Sequence, residues 1–599
     1  MDRQLLDVAL GKRKADLVVA NGQLVNVTSG EIYPGGVAVV GDRIAAIGDI
    51  EYTIGAETNV VDAGGNFITP GFVEGHIHPE SSTLSMARFA EIALCHGTTS
   101  VFTDLHEIGV VGGITAIDAA LAEGRRTALK YYFVVPSHIP FAPGLETSGG
   151  VFDAPLIANL VEREDAVGLS EVVSIYVALG HDDLLQSIDA TRQARKAMVG
   201  HGPETKGPAW STFAATGITN DHESLDLEDV LLRVRNGVYA HIRHNLLVPT
   251  LPELIKAVTE HHVNPHFICL VTDDTSPVAL TQEGHLDYLV RMALAQGVPF
   301  VQAIQMVTIN TACSFHAERD IGALAPGRYA DINIVTGPDE FRVLSTIAQG
   351  TLVAQAGRLV TPLPPEEHAP LMYGTFHLKA PVTAADLVIH APAGATAANI
   401  HVMRTLPWIP LTTGEEVVLP VRNGIIAADP EQDLAHIAVV ERHHQTGNIG
   451  KAFIGGFGLK RGAIASSVGH DNHNIVVMGV DPRDMALAVA RIVELDGGIV
   501  LVDGGAVVGE QALPMFGLLT DGDAWSVAAQ RARLLDTARD MGCSVPEPFM
   551  FLSFITLAGI PQFAVTDKGY IDCLKQAIID PVLNWVKGCR GVGSRGVGE

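Results

Sequence analysis

Paired thiolates are missing from this 599-residue chain. Its six cysteines, Cys95, Cys269, Cys313, Cys543, Cys573 and Cys589, are scattered without a Cys-x-x-Cys pair, which speaks against a disulfide framework and against a thiolate zinc site. Long apolar runs are missing too: nowhere do about 18 apolar residues follow one another, and Met1-Asp2-Arg3-Gln4 opens the chain with mixed charge and no apolar signal core. The expectation is a cytoplasmic protein that neither spans nor anchors to a membrane. Basic charge is scarce, with 40 Lys and Arg against 67 Asp and Glu and a net charge of −27. That field repels nucleic-acid backbones and anionic membranes, so the expected partner is a small molecule that is not a polyanion. Nor is there a Gly-x-Gly-x-x-Gly or Walker pattern of the kind an open, doubly wound nucleotide-binding sheet would carry.

What the chain does have is apolar content, 47% of its residues with a mean hydropathy of +0.25, enough for roughly three to four domains with real cores. Short β-branched runs come first: Leu17-Val18-Val19-Ala20, Gln23-Leu24-Val25-Asn26-Val27, Gly36-Val37-Ala38-Val39-Val40 and Arg43-Ile44-Ala45-Ala46-Ile47. Asn-Gly and Gly-Asp turns are expected to separate these strands. From residue 70 to about 325 apolar strands alternate with helical stretches. Leu84, Phe89, Ile92 and Ala93 form a helical stripe ended by His96-Gly97, and Ser100-Val101-Phe102, Tyr131 to Val135, Val172-Val173-Ser174 and Phe267 to Val271 read as strands. Repeated βα units over this length predict a closed (β/α)8 TIM-type barrel with chemistry at the C-terminal strand ends.

The motif around which the chain is organised is Pro70-Gly71-Phe72-Val73-Glu74-Gly75-His76-Ile77-His78. Alternate residues of a strand share a face, so His76 and His78 can address one ion, and imidazoles suit zinc, manganese or iron. A lone His-x-His is a weak signal. Further candidates follow at expected strand ends: Glu171 after Gly168-Leu169-Ser170, His201 in Val199-Gly200-His201-Gly202, His222 in Asn220-Asp221-His222-Glu223, and Asp273 closing Ile268 to Thr272, with Asp274 beside it.

Taken together, this set resembles the amidohydrolase superfamily, and within it the bacterial adenine deaminases. The resemblance rests on Gly75 to Ser82, Asp104-Leu105-His106-Glu107-Ile108, Val135-Pro136-Ser137, Glu146-Thr147-Ser148-Gly149, Asp221-His222-Glu223-Ser224, Thr272-Asp273-Asp274, Glu283-Gly284-His285-Leu286-Asp287-Tyr288 and Leu324 to Asp331. It continues through Gly456 to Lys460, His470-Asp471-Asn472-His473-Asn474 and Thr566 to Gly569. The resemblance implies a binuclear divalent metal centre, manganese with iron or zinc as alternatives. His76 and His78 would hold one ion, His201 and His222 the other, with Glu171 between them and Asp273 beside the first. It implies hydrolytic deamination of adenine to hypoxanthine and ammonia. Attack on the ring carbon needs a nucleophile that water at neutral pH does not supply, and a bound metal can lower the pKa of water to about 7.

Asp273 is read as general base and then acid, and Glu80 and Glu107 as further catalytic acids. Ser137, His106, Arg243 and Asp274 are read as substrate contacts. Glu204 completes a His-x-x-Glu with His201 and reads either as a proton donor to the ring nitrogen or, since the family usually lacks an acid there, as a solvated loop residue. Where the family tends to carry Arg-Glu-Gly-Ser after strand seven, this chain has His241-Ile242-Arg243-His244-Asn245, which leaves the substrate less secure than the metal centre. Another amidohydrolase acting on a different nucleobase or cyclic amide is the alternative, and a silent purine-binding member is a third reading. The zinc deaminases that act on flipped bases fit poorly, since their signature, His-x-Glu paired with Pro-Cys-x-x-Cys, is absent.

The expected organisation is a β-sandwich built from 1–69 and 326–375, a barrel over 70–325, and a C-terminal α/β domain over 376–599. Ala330 to Val335 and Thr351 to Ala354 are expected to pair with the N-terminal strands, and Pro362 to Glu367 to act as a linker. Strands at Asn474 to Met478 and Gly498 to Val502 and an amphipathic helix from Met485 to Leu495 are expected in the last domain, with a disordered tail from Gly588. The segment from His470 to Asn474 reads either as a polar loop leading into a strand or as a second metal site. A homodimer is the expected assembly.

Overall fold

The computed structural model describes residues 3–587 apart from 246, 366, 407–408 and 560–561. Glu366 of the linker and the tail from Gly588 lie outside the described residues. The chain forms two compact units, one of Met1–Ile139, Val151–Pro370 and Leu519–Ala529, the other of Pro140–Gly150, Leu371–Leu518 and the chain from Gln530 on.

The first unit is centred on eight parallel strands, β1 (Phe72–Glu74), β2 (Thr98–Thr103), β3 (Lys130–Pro136), β4 (Ala166–Val173), β5 (Ala197–His201), β6 (Asn220–Asp221), β7 (Tyr239–Arg243) and β8 (Ile268–Val271). They are hydrogen-bonded in chain order. The last returns to the first where Asp273 N–H donates to the His76 carbonyl at 3.0 Å. Every residue of β1, β2, β5, β6 and β8 is buried, as strands covered on both faces must be, which explains why β8, Ile268-Cys269-Leu270-Val271, reads as an unbroken apolar run without alternation.

Helices cover the outside. Leu270 packs in one cluster with Ile268 of its own strand, Ala240 and Ile242 of the neighbouring β7, and Leu286, Leu289 and Val290 of the helix Leu286–Ala295. Truncating it leaves a cavity between strand and helix, so Leu270→Ala is expected to cost about 2–5 kcal/mol, read as a lower urea midpoint for unfolding of this unit.

Strands from both flanks of the barrel join one nine-stranded sheet. Ile332–Val335 pairs antiparallel with Phe67–Pro70. Thr351–Gln355 instead pairs with Val343–Ala348 and Arg358–Leu359, so of the two expected returning strands only the first reaches the N-terminal set. The sheet curls round its own core: Ile44 N–H donates to the Arg328 carbonyl and Gly327 N–H to the Ile44 carbonyl, enclosing Val19, Val37, Val39, Ile332 and Ile347. Asn21-Gly22 is not a turn. It forms a bulge inside the continuous strand Leu17–Asn26, where a Cβ on Gly22 would lie 2.5 Å from Ile68.

The second unit is built on a ten-stranded sheet containing the long hairpin Ala395–Leu406 and Ile409–Arg422. Strands Ile475–Gly479 and Gly498–Asp503 and helix Pro482–Glu494 fall where the sequence places them. Asp481 caps the helix by accepting from Arg483 N–H, and Met485, Val489 and Ile492 pack on Val477 and Val500. His470 to Asn474 is the buried loop that leads into strand Ile475–Gly479, with Asn472 donating to the Thr556 carbonyl and Asn474 to that of Thr147. No helix among the described residues is long and apolar enough to cross a membrane.

Candidate metal-dependent active site

The candidate ligands converge at the C-terminal end of the barrel on one carboxylate oxygen. Glu171 Oε1 lies 3.5 Å from His76 Nε2, 3.5 Å from His78 Nε2, 3.7 Å from His201 Nδ1 and 3.6 Å from His222 Nε2. Asp273 Oδ1 is 3.7 Å from His76 Nε2 and 3.9 Å from His78 Nε2. Local backbone geometry produces this. Ladder pairing stops at Glu74, so His76 and His78 lie just beyond β1, after a bend at Gly75-His76, rather than within the strand.

In β4, Ser170 and Glu171 together face the single residue Val199 of β5, a bulge that re-aims the side chain. Glu171 and Asp273 both adopt left-handed φ, +48° and +58°, a conformation that costs energy for a residue with a Cβ and that clusters at functional sites. Ser137 Oγ braces Glu171 by donating to its carbonyl at 2.8 Å.

Buried carboxylates and imidazoles face one another across the cluster. Burial opposes ionisation of Glu171, but the imidazoles of His201 and His78 facing its carboxylate hold it well below the usual carboxylate range. Burial likewise opposes ionisation of Asp273, yet His76 and Arg243 pull it down to about 2. His201, lowered by burial, is carried up to about 9 by Glu223 and Glu171, whereas burial and the neighbouring His222 push His76 down to about 3. Nε2 of His76 and both ring nitrogens of His201 are buried without a hydrogen-bond partner, an arrangement that is costly unless something binds there.

The nitrogen and oxygen donors group as His76, His78 and Asp273, as His76, Glu171 and His222, and as His201, His222 and Glu223, each set within 4.8 Å. Hard and borderline donors without thiolate suit a divalent first-row ion, so the residues present fit a metal.

The other sequence candidates divide. Glu80 is 2% exposed, neither of its carboxyl oxygens has a hydrogen-bond partner, and burial pushes it up to about 8. His106 and Glu107 are buried at the start of helix His106–Gly124. Asp274 accepts from the Ser81 hydroxyl, and its N–H donates to Asp273 Oδ1. Arg243 lies between two carboxylates, Nη1 at 2.8 Å from Asp273 Oδ2 and Nη2 at 2.7 Å from Glu223 Oε2. Glu204 is exposed and stands outside the buried cluster.

Three residues escaped the sequence reading. Glu223 Oε1 sits 3.6 Å from His201 Nδ1 and 3.4 Å from His222 Nε2, and its place directly after His222 at a strand end was the available signal. Asp104, within a segment that carried the resemblance, reaches His78 Nδ1 at 3.4 Å, the carboxylate-behind-histidine arrangement that orients metal ligands. Glu74 accepts from His76 N–H at 3.0 Å and from Thr272 N–H at 3.1 Å, fastening the ends of β1 and β8.

Residues 67–353 match the amidohydrolase family and residues 410–577 the adenine deaminase C-terminal domain. An adenine deaminase of Moorella thermoacetica is 38% identical over 96% of this chain and 97% of its own. Adenine deaminase 4 of Rhizobium meliloti is 38% identical over 96% of each, and an adenine deaminase of Clostridium botulinum 35% over 96% of each. With a barrel whose strand ends gather His, Glu and Asp side chains able to hold a metal and relatives matched along nearly their whole length, the chain belongs to the adenine deaminase family of the amidohydrolases.

Proposed function

We propose that the protein hydrolyses adenine to hypoxanthine and ammonia at a binuclear centre held by His76, His78, Glu171, His201, His222 and Asp273. The observation that carries this reading is the convergence of four imidazoles on Glu171 Oε1 within 3.7 Å, in a chain whose relatives bear that activity in their names. Manganese is the expected metal, with iron or zinc as alternatives. A divalent ion supplies Lewis acidity and brings the pKa of water from 15.7 to about 7.

The chain's own residues do the rest. Asp273 takes the proton of the attacking water as the C6–O bond forms, and delivers a proton to the amine as the C6–N bond breaks. Arg243 holds Asp273 and Glu223 in place, and acts on substrate through Asp273. Glu80, whose two carboxyl oxygens have no hydrogen-bond partner, is read as donor to the ring nitrogen where charge develops. Glu107, His106, Ser137 and Asp274 complete the purine pocket. The acidic net charge of −27 accords with a small, uncharged substrate, and the protein is read as a cytoplasmic homodimer.

The test is a comparison of kcat/KM for adenine, cytosine and a cyclic amide with manganese-loaded protein. Adenine is expected to lead by at least about tenfold, as expected where buried polar groups pair only with the right substrate. Turnover of the cyclic amide without turnover of adenine would move the protein to a different amidohydrolase activity.

A further inference from the structure

Arg233 is fully buried on helix Leu227–Arg235, outside any metal-ligand distance, yet its guanidinium meets the chain on both sides of the His201 and His222 positions. Nε donates to Asp221 Oδ1 at 2.8 Å, and Nη2 to the Gly202 carbonyl at 2.8 Å and the Glu223 carbonyl at 3.3 Å. Asp221 in turn accepts from Glu223 N–H at 3.1 Å. Gly202 follows His201, and Asp221 and Glu223 flank His222, so one rigid fork fixes the spacing of β5 and β6 where their ligands emerge. The indole of Trp210 covers the guanidinium at 4.7 Å.

Stability alone is a poor reason for this arrangement, because a buried ion pair is often matched or bettered by apolar residues of similar volume. Planar donors at fixed angles do something an apolar side chain cannot, which is to hold several acceptors at set distances. None of these contacts touches His76, His78 or Asp273, whose strand ends are fastened by Glu74 and Thr272.

We propose that Arg233 is a positioning residue for the His201, His222 and Glu223 half of the metal centre, setting its affinity for the second ion while leaving the His76, His78 and Asp273 half unaffected. The proposal rests on the binuclear reading given above.

Manganese titration into metal-free full-length protein, followed by elemental analysis and electron paramagnetic resonance, tests it. The unsubstituted protein is expected to take two manganese ions with a spin-coupled signal. Arg233→Met is expected to retain one ion tightly, lose the coupled signal, and bind the second about 10–100-fold more weakly, the usual effect of losing an outer-shell partner. Arg233→Lys keeps the charge but cannot span three acceptors, and is expected to resemble the Met variant. If Arg233→Met does not fold, by circular dichroism, Asp221→Asn replaces it, with the same single-ion outcome expected.

Two ions bound with unchanged affinity in the folded variant would overturn the proposal, as would equal weakening of both. Wild-type behaviour of the Lys variant would show that charge, not position, is what matters. No manganese bound by the unsubstituted protein would remove the metal reading itself, and the proposal with it.

Discussion

Asp273→Asn is expected to lower kcat for adenine by about 10²–10⁴-fold, the usual contribution of a positioned general acid and base. The side chain lies on the last barrel strand's extension, where a left-handed φ of +58° directs Oδ1 toward His76 and His78 at 3.7 and 3.9 Å. Its other oxygen takes a hydrogen bond from Arg243 at 2.8 Å. Asparagine preserves shape and an oxygen donor but cannot carry the proton. The metal content of the variant, by elemental analysis, is therefore expected to stay near that of the unsubstituted protein while ammonia release collapses. A variant that keeps its metal and its rate would exclude Asp273 as the proton carrier.

Glu171→Ala is expected to act one step earlier. Loss of an outer-shell partner alone costs about 10–100-fold in metal affinity or activity, and Glu171 is the group on which four imidazoles converge. Its removal is expected to exceed that range in both readouts, with manganese lost on gel filtration and deamination lost with it. The deficit separates from that of Asp273→Asn because added manganese does not restore what has no bridge to hold it. Full metal content in Glu171→Ala would mean that the four histidines are held together by something else.

The candidate ligands were legible because they fall at or near the ends of strand-like runs, where a barrel exposes its function. The whole set from His76 to Asp273 could be placed in order from strand ends and resemblance. Glu171 was legible as a candidate but its aim was not: a bulge opposite Val199 is a property of register between two strands, which neither strand's sequence displays alone. Glu223 and Asp104 were quoted inside shared segments without a role, because a carboxylate beside a histidine has no spacing signature.

Arg233 was invisible for a related reason. On its own helix it reads as one more basic residue in the last turn, and only packing against β5 and β6 buries it completely. Glu204 follows the plainer of its two readings, a solvated loop residue, since His-x-x-Glu spacing says nothing of which way the loop after β5 faces, and the residue is exposed. Likewise Asn21-Gly22, a good turn sequence by local propensity, was overridden by pairing on both sides of the strand.

The measurement closest to the central claim is turnover of adenine in ¹⁸O-labelled water by manganese-loaded protein, with ammonia and hypoxanthine quantified together. The account predicts one ammonia for each hypoxanthine and one ¹⁸O atom at the purine C6 position. Ammonia without labelled hypoxanthine, or no turnover by protein carrying its metal, would contradict it.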